Sequence, residues 1–343
     1  MTIKTDALIV GAGPCGVFQI FELGLLGVKC EIVDSLPTVG GQCAELYPDK
    51  PIYDIPGIPV CSGQELIDLL MKQAKPFNAG FHLGEEVAEV AIEEGGFRVV
   101  TSAGKVFLAK TVFIAGGVGS FQPRKLRLPE AAELEGTHVN YRVKDPSRYK
   151  GKRIVVLGGG DSALDWALAL YEHAEHLTLV HRRDEFRGAP ASAAALIQAA
   201  EQGKAEVILS GKIDGIGMEG EQLTSVRIKL PGNELRNIPA DELLVFFGLS
   251  PKLGPIAEWG FDINRKTINV DTEKFVTNIP GIFAIGDIND YPGKKKLILC
   301  GFHEAALAAF AAKSLIEPGK KVHLQYTTTS PIMHKRLGVA DPD

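Results

Sequence analysis

Two glycine-rich turns of one design stand far apart in this chain, each bracketed by the pattern that makes such a turn useful. The first lies in Ala7-Leu-Ile-Val-Gly-Ala-Gly-Pro-Cys-Gly16, and Asp34 closes the next apolar run. The second lies in Arg153-Ile-Val-Val-Leu-Gly-Gly-Gly-Asp-Ser-Ala163, and its next apolar run is followed by His181, Arg182 and Arg183. An apolar run, a glycine turn and an amphipathic helix in that order form the βαβ unit that cradles a pyrophosphate at a helix N-terminus. A carboxylate at the next strand end accepts hydrogen bonds from a ribose, whereas paired arginines grip a 2′-phosphate. The two turns therefore ask for different dinucleotides, FAD at the first and NADPH at the second.

Within the first turn, Gly11 permits the bend, Gly13 lets backbone approach a pyrophosphate, and Gly16 lets the helix pack on the strand. Pro14 suits the first helical position, and Cys15 sits inside the cradle as a packing residue. The second turn uses Gly158, Gly160 and Ala163, with Asp161 and Ser162 opening its helix. Arg182, Arg183 and Arg187, with His181, form the phosphate-binding cluster, offset in part by Asp184 and Glu185. Asp287 follows Ile279-Pro-Gly-Ile-Phe-Ala-Ile-Gly286 and can accept from a ribityl hydroxyl, or simply cap a helix.

The rest of the chain narrows the class. At 343 residues it holds two domains of ordinary size, and 45% apolar with 23% charged residues is the balance of a globular protein. A net charge of −5 argues against nucleic acid, and no basic block points to a membrane surface. The N-terminus reads directly into a strand, and no apolar run approaches the roughly 20 residues that span a bilayer. A cytoplasmic protein is expected. Five scattered cysteines without a Cys-x-x-Cys fit a reducing compartment, and neither they nor the histidines show metal-binding spacing.

Apolar runs alternate with helical patterns, which predicts an α/β fold with parallel sheets and helices on their faces. Strands are expected at 5–10, 28–33, 105–115, 153–157, 177–181 and 243–247, and helices at 14–27 and 161–174. Glycines follow two of those strands, at Gly116-Gly117-Val-Gly119 and at Gly248. These mark domain crossings, so 120–247 is read as an NADPH-binding domain inserted into an FAD-binding domain of 1–119 and 248–343.

Taken together, the first cradle, Gly40-Gly41-Gln42, the Gly158–Ala163 turn, His181-Arg-Arg-x-x-x-Arg187 and Gly286-Asp287 resemble the thioredoxin-reductase-like flavoproteins. Within them the chain most resembles the ferredoxin (flavodoxin)–NADP reductases, over essentially its whole length. The resemblance implies two Rossmann-like, three-layer domains, a homodimer, and electron transfer from NADPH through FAD to ferredoxin or flavodoxin.

Missing sulfur sharpens this. Thioredoxin reductases carry a Cys-x-x-Cys just before the second cradle, where this chain has Asn140-Tyr-Arg-Val-Lys-Asp-Pro146. Glutathione-reductase relatives place two cysteines five positions apart after the Gly-Gly. Here Cys43 fills the first position, but Pro48 fills the second. One thiol cannot form the disulfide that passes two electrons onward.

By the same resemblance, the tail beginning at Tyr326 covers the flavin of the partner subunit, with Tyr326 on one ring face, Thr328 near its N5 edge, and Tyr47 on the other face. Gly41, Gln42, Val87 and Phe121 match further FAD contacts. No side chain is assigned as a catalytic acid or base. Lys294, Lys295, Lys296, Lys335 and Arg336 offer a basic surface for an acidic partner, or ordinary solubilising charge. Two other readings stay open: a reductase of a quinone or a dithiol-protein acceptor, and a flavin-bearing redox sensor.

Overall fold

The computed structural model describes residues 2–143 and 145–339, with the side chains of 120–122 and 249–252 outside the described set. The chain divides into two compact units, 1–120 with 251–343, and 121–250. At the two crossings between them, Ser120–Pro123 and Leu249–Lys252 pair as a two-stranded ladder.

The discontinuous unit is built on β1 (Thr2–Val10), α1 (Pro14–Leu25) and β2 (Cys30–Asp34). β1 lies parallel to β2 on one side and to Val106–Ile114 on the other, and β2 continues to Gly80–Leu83. Val106–Ile114 is shared: its first half pairs antiparallel with Gly96–Thr101, and its last three residues pair parallel with Ile282–Ala284. Alternation along β1 assigns its two faces. Ala7 and Ile9 pack with Val17, Ile20, Leu66 and the alanines of Ile298–Ile316, whereas Leu8 and Val10 pack with Val99, Phe107, Ile256 and Ile268. Side chains of period two thus bury both faces of a central parallel strand.

The continuous unit repeats the scheme. Its sheet runs, in spatial order, Val139–Asn140, Glu242–Phe246, Arg153–Gly158, His176–Val180 and Glu206–Ile208, all parallel. Ile154 and Val156 pack toward the helices Asp161–Leu170 and Pro190–Glu201; Val155 and Leu157 pack toward an antiparallel sheet of Lys212–Glu219, Gln222–Lys229 and Leu235–Pro239. Each unit is therefore three-layered. Most helices of each unit lie on one face of its parallel sheet; on the other face of the continuous unit the short helix Pro129–Glu133 joins the antiparallel sheet, with Ala131 in the same buried cluster as Val155 and Leu157.

The expected strands and helices are present with bounds shifted by a few residues. The first helix stops at Leu25, and Gly27 then turns the chain at φ +70°. One correction concerns Ile298–Ile316, which by length and composition is long and apolar enough to cross a bilayer. Its face of Ala305, Ala308, Ala309 and Ala312 has no exposed surface and joins the core around α1, as in the core helix of a globular domain.

Candidate functional site: two dinucleotide cradles

In the discontinuous unit, parallel strands deliver four separate motifs to one sheet edge. The Gly11 amide donates to the Val33 carbonyl (2.8 Å), that of Ala115 to Val10 (2.8 Å), and that of Ile285 to Ile114 (2.9 Å). The turn of β1, Asp34 at the end of β2, the turn 115–119 and Gly286-Asp287 consequently all leave from carboxyl ends of adjacent strands. Ligands of open α/β sheets bind at such edges.

The glycines there are required by contact. A Cβ on Gly11 would stand 2.5 Å from the Ala115 carbonyl oxygen, at a φ of +111°, and one on Gly16 would stand 1.9 Å from the Gly11 oxygen. A Cβ on Gly41 would come within 2.9 Å of the Gly13 Cα, so these two backbones form the walls of one cleft. α1 starts at Pro14 with Gly13 as its cap; no side chain caps it and its first turn carries no acid. Its leading N–H groups, without acceptors along the helix, fit a pyrophosphate.

Asp34 is held from both sides, Oδ2 accepting from the Ala12 amide (2.5 Å) and Oδ1 from the Leu36 amide (2.8 Å). Burial raises its pKa first, and those two amides oppose the rise. An ionised carboxylate keeps further lone pairs for a ribose. The Glu85 amide donates to the Asp34 carbonyl (3.0 Å), and the buried Val87 follows two residues further on.

Gln42 places its Nε2 3.3 Å from where a Gly117 Cβ would be, over the 115–119 turn. Tyr47 ends the helix Gly41–Leu46, half-buried, with its hydroxyl 3.5 Å from the Cys43 thiol. Asp287 is half-buried and no helix cap: Leu297 caps the helix that follows. Its charge helps to raise the thiols of Cys15 and Cys43 and the phenol of Tyr47, after burial as the main cause, so these groups share one neighbourhood. All five cysteines are free. The side chain of Phe121 lies outside the described residues.

In the second cradle, a Cβ on Gly158 would stand 2.7 Å from the Ala163 Cβ and 2.8 Å from the Phe246 oxygen, whereas one on Gly160 would meet nothing within 4 Å. Asp161 accepts from the Ala189 amide (2.8 Å), and the amides of Arg187 and Gly188 donate to the Gly159 oxygen (2.6 and 3.1 Å). The arginine loop is thereby folded back onto the turn. Arg182, Arg183, Arg187 and Ser162 are exposed.

His181 departs from expectation. It is buried, its ring fills the space a Gly159 Cβ would take, and it stacks on Phe186 at 5.7 Å. Burial, then Arg182 and Arg183, lower its pKa, while bonds to Glu185 and Gly158 oppose them. His181 is the floor of the cradle rather than part of its charged clamp.

The basic surface also needs correction. The Lys294 side chain is 4% exposed and paired with Glu304 at 2.5 Å, so it cannot meet a partner. Arg336 is half-buried and donates to the Leu25 carbonyl. Lys295, Lys296 and Lys335 remain exposed. In the tail, Ser330 caps the helix Pro331–Leu337 and His334 meets the Thr327 carbonyl at 2.6 Å. That helix fastens to the end of α1, while Tyr326 is 66% exposed and Thr328 is exposed. Among the described residues, no metal-binding cluster is present.

Sequence reasoning missed Glu304, which is wholly buried and accepts from Gly286, Asn289, Tyr291 and Lys294. An acid in an alanine-rich helix stripe was the available signal.

Comparison with known proteins agrees with this geometry. Residues 5–312 match the pyridine nucleotide-disulphide oxidoreductase family. The chain is 60% identical over 341 residues to ferredoxin–NADP reductase 2 of Cupriavidus metallidurans, covering 99% of this chain and 93% of that one. It is 58% identical over 345 residues to the ferredoxin–NADP reductase of Methylibium petroleiphilum, covering 99% and 94%. Among solved structures, T. acidophilum thioredoxin reductase superposes with a TM-score of 0.73 at 25% identity, covering 91% of this chain and 98% of that one. The Lactococcus lactis thioredoxin reductase gives 0.72 at 25%, covering 91% and 99%. The chain belongs to the pyridine nucleotide-disulphide oxidoreductase family and, within it, to the ferredoxin–NADP reductases of the thioredoxin-reductase-like type.

Proposed function

We propose that this chain is an NADPH-dependent ferredoxin–NADP+ reductase that holds FAD in the discontinuous unit and NADPH in the continuous one. The observation that carries the reading is the convergence of the first cradle, Asp34, Gln42 and Asp287 on one strand-end edge. Bound FAD supplies a carrier that takes the two electrons of a hydride together and releases them singly.

The residues then divide the work. Gly11, Gly13, Pro14, Cys15, Gly16 and Gly41 form a cleft open enough for a pyrophosphate. Asp34 meets the ribose, Asp287 the ribityl chain, and Gln42 and Val87 border the rest. Tyr47 supplies an aromatic wall, and Tyr326 and Thr328 of a second copy close the opposite side and exclude water. Gly158, Gly160, Asp161, Ser162 and Ala163 receive the NADPH pyrophosphate, while Arg182, Arg183 and Arg187 select the 2′-phosphate by charge and fork geometry. Charge transfer of this kind calls for no protein acid or base.

The same reading makes the protein a cytoplasmic homodimer that serves ferredoxin, flavodoxin or both. Exposed Leu324, Tyr326 and Ile332 in the tail support a second copy as cover. The free, unpaired state of Cys43 disfavours a dithiol acceptor.

The test is anaerobic. The purified protein should be yellow, bleach on NADPH addition, and regain colour as added ferredoxin is reduced one electron at a time. A colourless protein that takes up no FAD would end this reading, and reduction of quinone but not ferredoxin or flavodoxin would replace the acceptor.

A further inference from the structure

Beneath the Gly286-Asp287 turn lies a buried ion pair with no part in the account above. Glu304 Oε2 accepts from the Gly286 amide at 2.7 Å and from Asn289 Nδ2 at 2.8 Å. Its Oε1 accepts from the Tyr291 hydroxyl at 2.9 Å and from Lys294 Nζ at 2.5 Å. Lys294 Nζ also donates to the Gly286 carbonyl at 2.9 Å and stands 5.3 Å from the centre of the Tyr291 ring. Both peptide groups of Gly286 are thus grasped, its N–H by the carboxylate and its C=O by the ammonium.

Gly286 needs such a hold. It turns at φ +76°, and a Cβ there would meet the Cys15 sulfur at 3.1 Å. Asn289 ties the same carboxylate to the Ala284 carbonyl at 2.8 Å, so hydrogen bonds link strand end, turn and helix. Removing charge from water is costly, and a buried ion pair is by itself weak evidence for a purely stabilising role.

We infer that Lys294 and Glu304 are positioning residues for the flavin site, clamping Gly286 so that Asp287 is presented to the cofactor. The inference rests on the reading that FAD occupies the first cradle. Its test separates folding from positioning by comparing single and paired replacements. Flavin-free protein is titrated with FAD, following the quenching of FAD fluorescence, and the melting temperature of each flavin-free variant is recorded alongside.

Lys294→Met and Glu304→Gln each leave part of the network unsatisfied, so both should melt earlier and bind FAD at least tenfold more weakly. The double variant Lys294→Met/Glu304→Gln removes both charges but leaves an amide oxygen to accept from the Gly286 N–H, so it should melt later than either single variant yet keep the tenfold loss, and its bound flavin should show a shifted midpoint potential. A double variant that binds FAD within threefold of the unaltered protein, at the same potential, would overturn the inference and leave the pair a packing device. If the methionine variants do not fold, Glu304→Gln decides, with binding within threefold again the overturning result. Failure of the unaltered flavin-free protein to take up FAD is a separate outcome, which removes the underlying reading and this inference with it.

Discussion

Gly160→Ala offers a substitution whose effects on folding and on binding come apart. Gly160 is the N-cap of the helix Asp161–Leu170, with φ −98° and ψ 179°, an extended conformation open to alanine. The added methyl would meet no protein atom within 4 Å. Alanine is a poorer cap than glycine by several tenths of a kcal/mol, and restricting the unfolded chain returns about 0.4–1 kcal/mol, so the net change in stability is close to zero. The melting temperature should therefore move by less than about 2 °C. The same methyl projects into the space assigned to the NADPH pyrophosphate, where overpacking costs about 1–3 kcal/mol, a loss of roughly 5- to 150-fold in affinity. The assay is the NADPH dependence of ferricyanide reduction, with the dissociation constant of NADP+ measured by titration. Gly158→Ala is the contrast, because its methyl strikes the Ala163 Cβ and the Phe246 carbonyl and should cost stability first. A Gly160→Ala protein that melts normally and binds NADP+ within twofold of the parent would refute the placement of the dinucleotide on this turn.

Three further outcomes are expected. Replacing Arg182 and Arg183 by alanine should each raise the KM for NADPH about 5- to 30-fold, from charge-assisted bonds worth ~1–2 kcal/mol at an exposed site, and leave NADH unchanged; equal losses with both would refute phosphate recognition. Tyr326→Ser should alter the hydride-transfer rate and the NADPH-over-NADH ratio measured by stopped flow, because an aromatic cover must move before nicotinamide can enter; unchanged values would remove the tail from the site. Burial pushes the carboxyl of Glu22 up to about 7. Its folded form binds a proton more tightly than the unfolded chain, so stability falls as pH rises from about 4.5 to 7 and stays lowered above. Glu22→Gln should add about 1–2 kcal/mol at pH 8, after allowance for partial exposure, and almost nothing at pH 4.5; equal melting shifts at both values would contradict this.

What could be read from residues alone follows from what each motif must satisfy. A phosphate-binding turn needs glycine where backbone crowds backbone, and Gly11, Gly16 and Gly158 each meet an atom closer than 3 Å when a Cβ is added. That requirement is local and leaves a local mark. The antiparallel layer of the discontinuous unit left a weaker mark, because burial alternates along Gly96–Thr101 but not along its partner Val87–Glu93. Burial of charge leaves no such mark. Three successive lysines look alike in sequence, yet Lys294 turns inward to Glu304, while Lys295 and Lys296 stay in solvent. His181 beside two arginines likewise reads as a third cation, until the strand end places its ring under Gly159.

The missing second sulfur bears on the tail as well. A pair of cysteines can form a disulfide that carries electrons away from a cofactor. Here the helix Gly41–Leu46 ends in Tyr47 over Cys43, with Pro48 next, and no thiol relay leads outward. On the proposed function, an acceptor would then come to the cofactor's own edge, as would nicotinamide. Two reactants competing for one covered edge require a cover held loosely. The tail fits that need: its helix is fastened at Ser330, His334 and Arg336, while Tyr326 and Thr328 ahead of it stand exposed. If Tyr326 and Thr328 cover the cofactor as proposed, a firmly anchored helix behind exposed residues would let the cover shift without unfolding the tail.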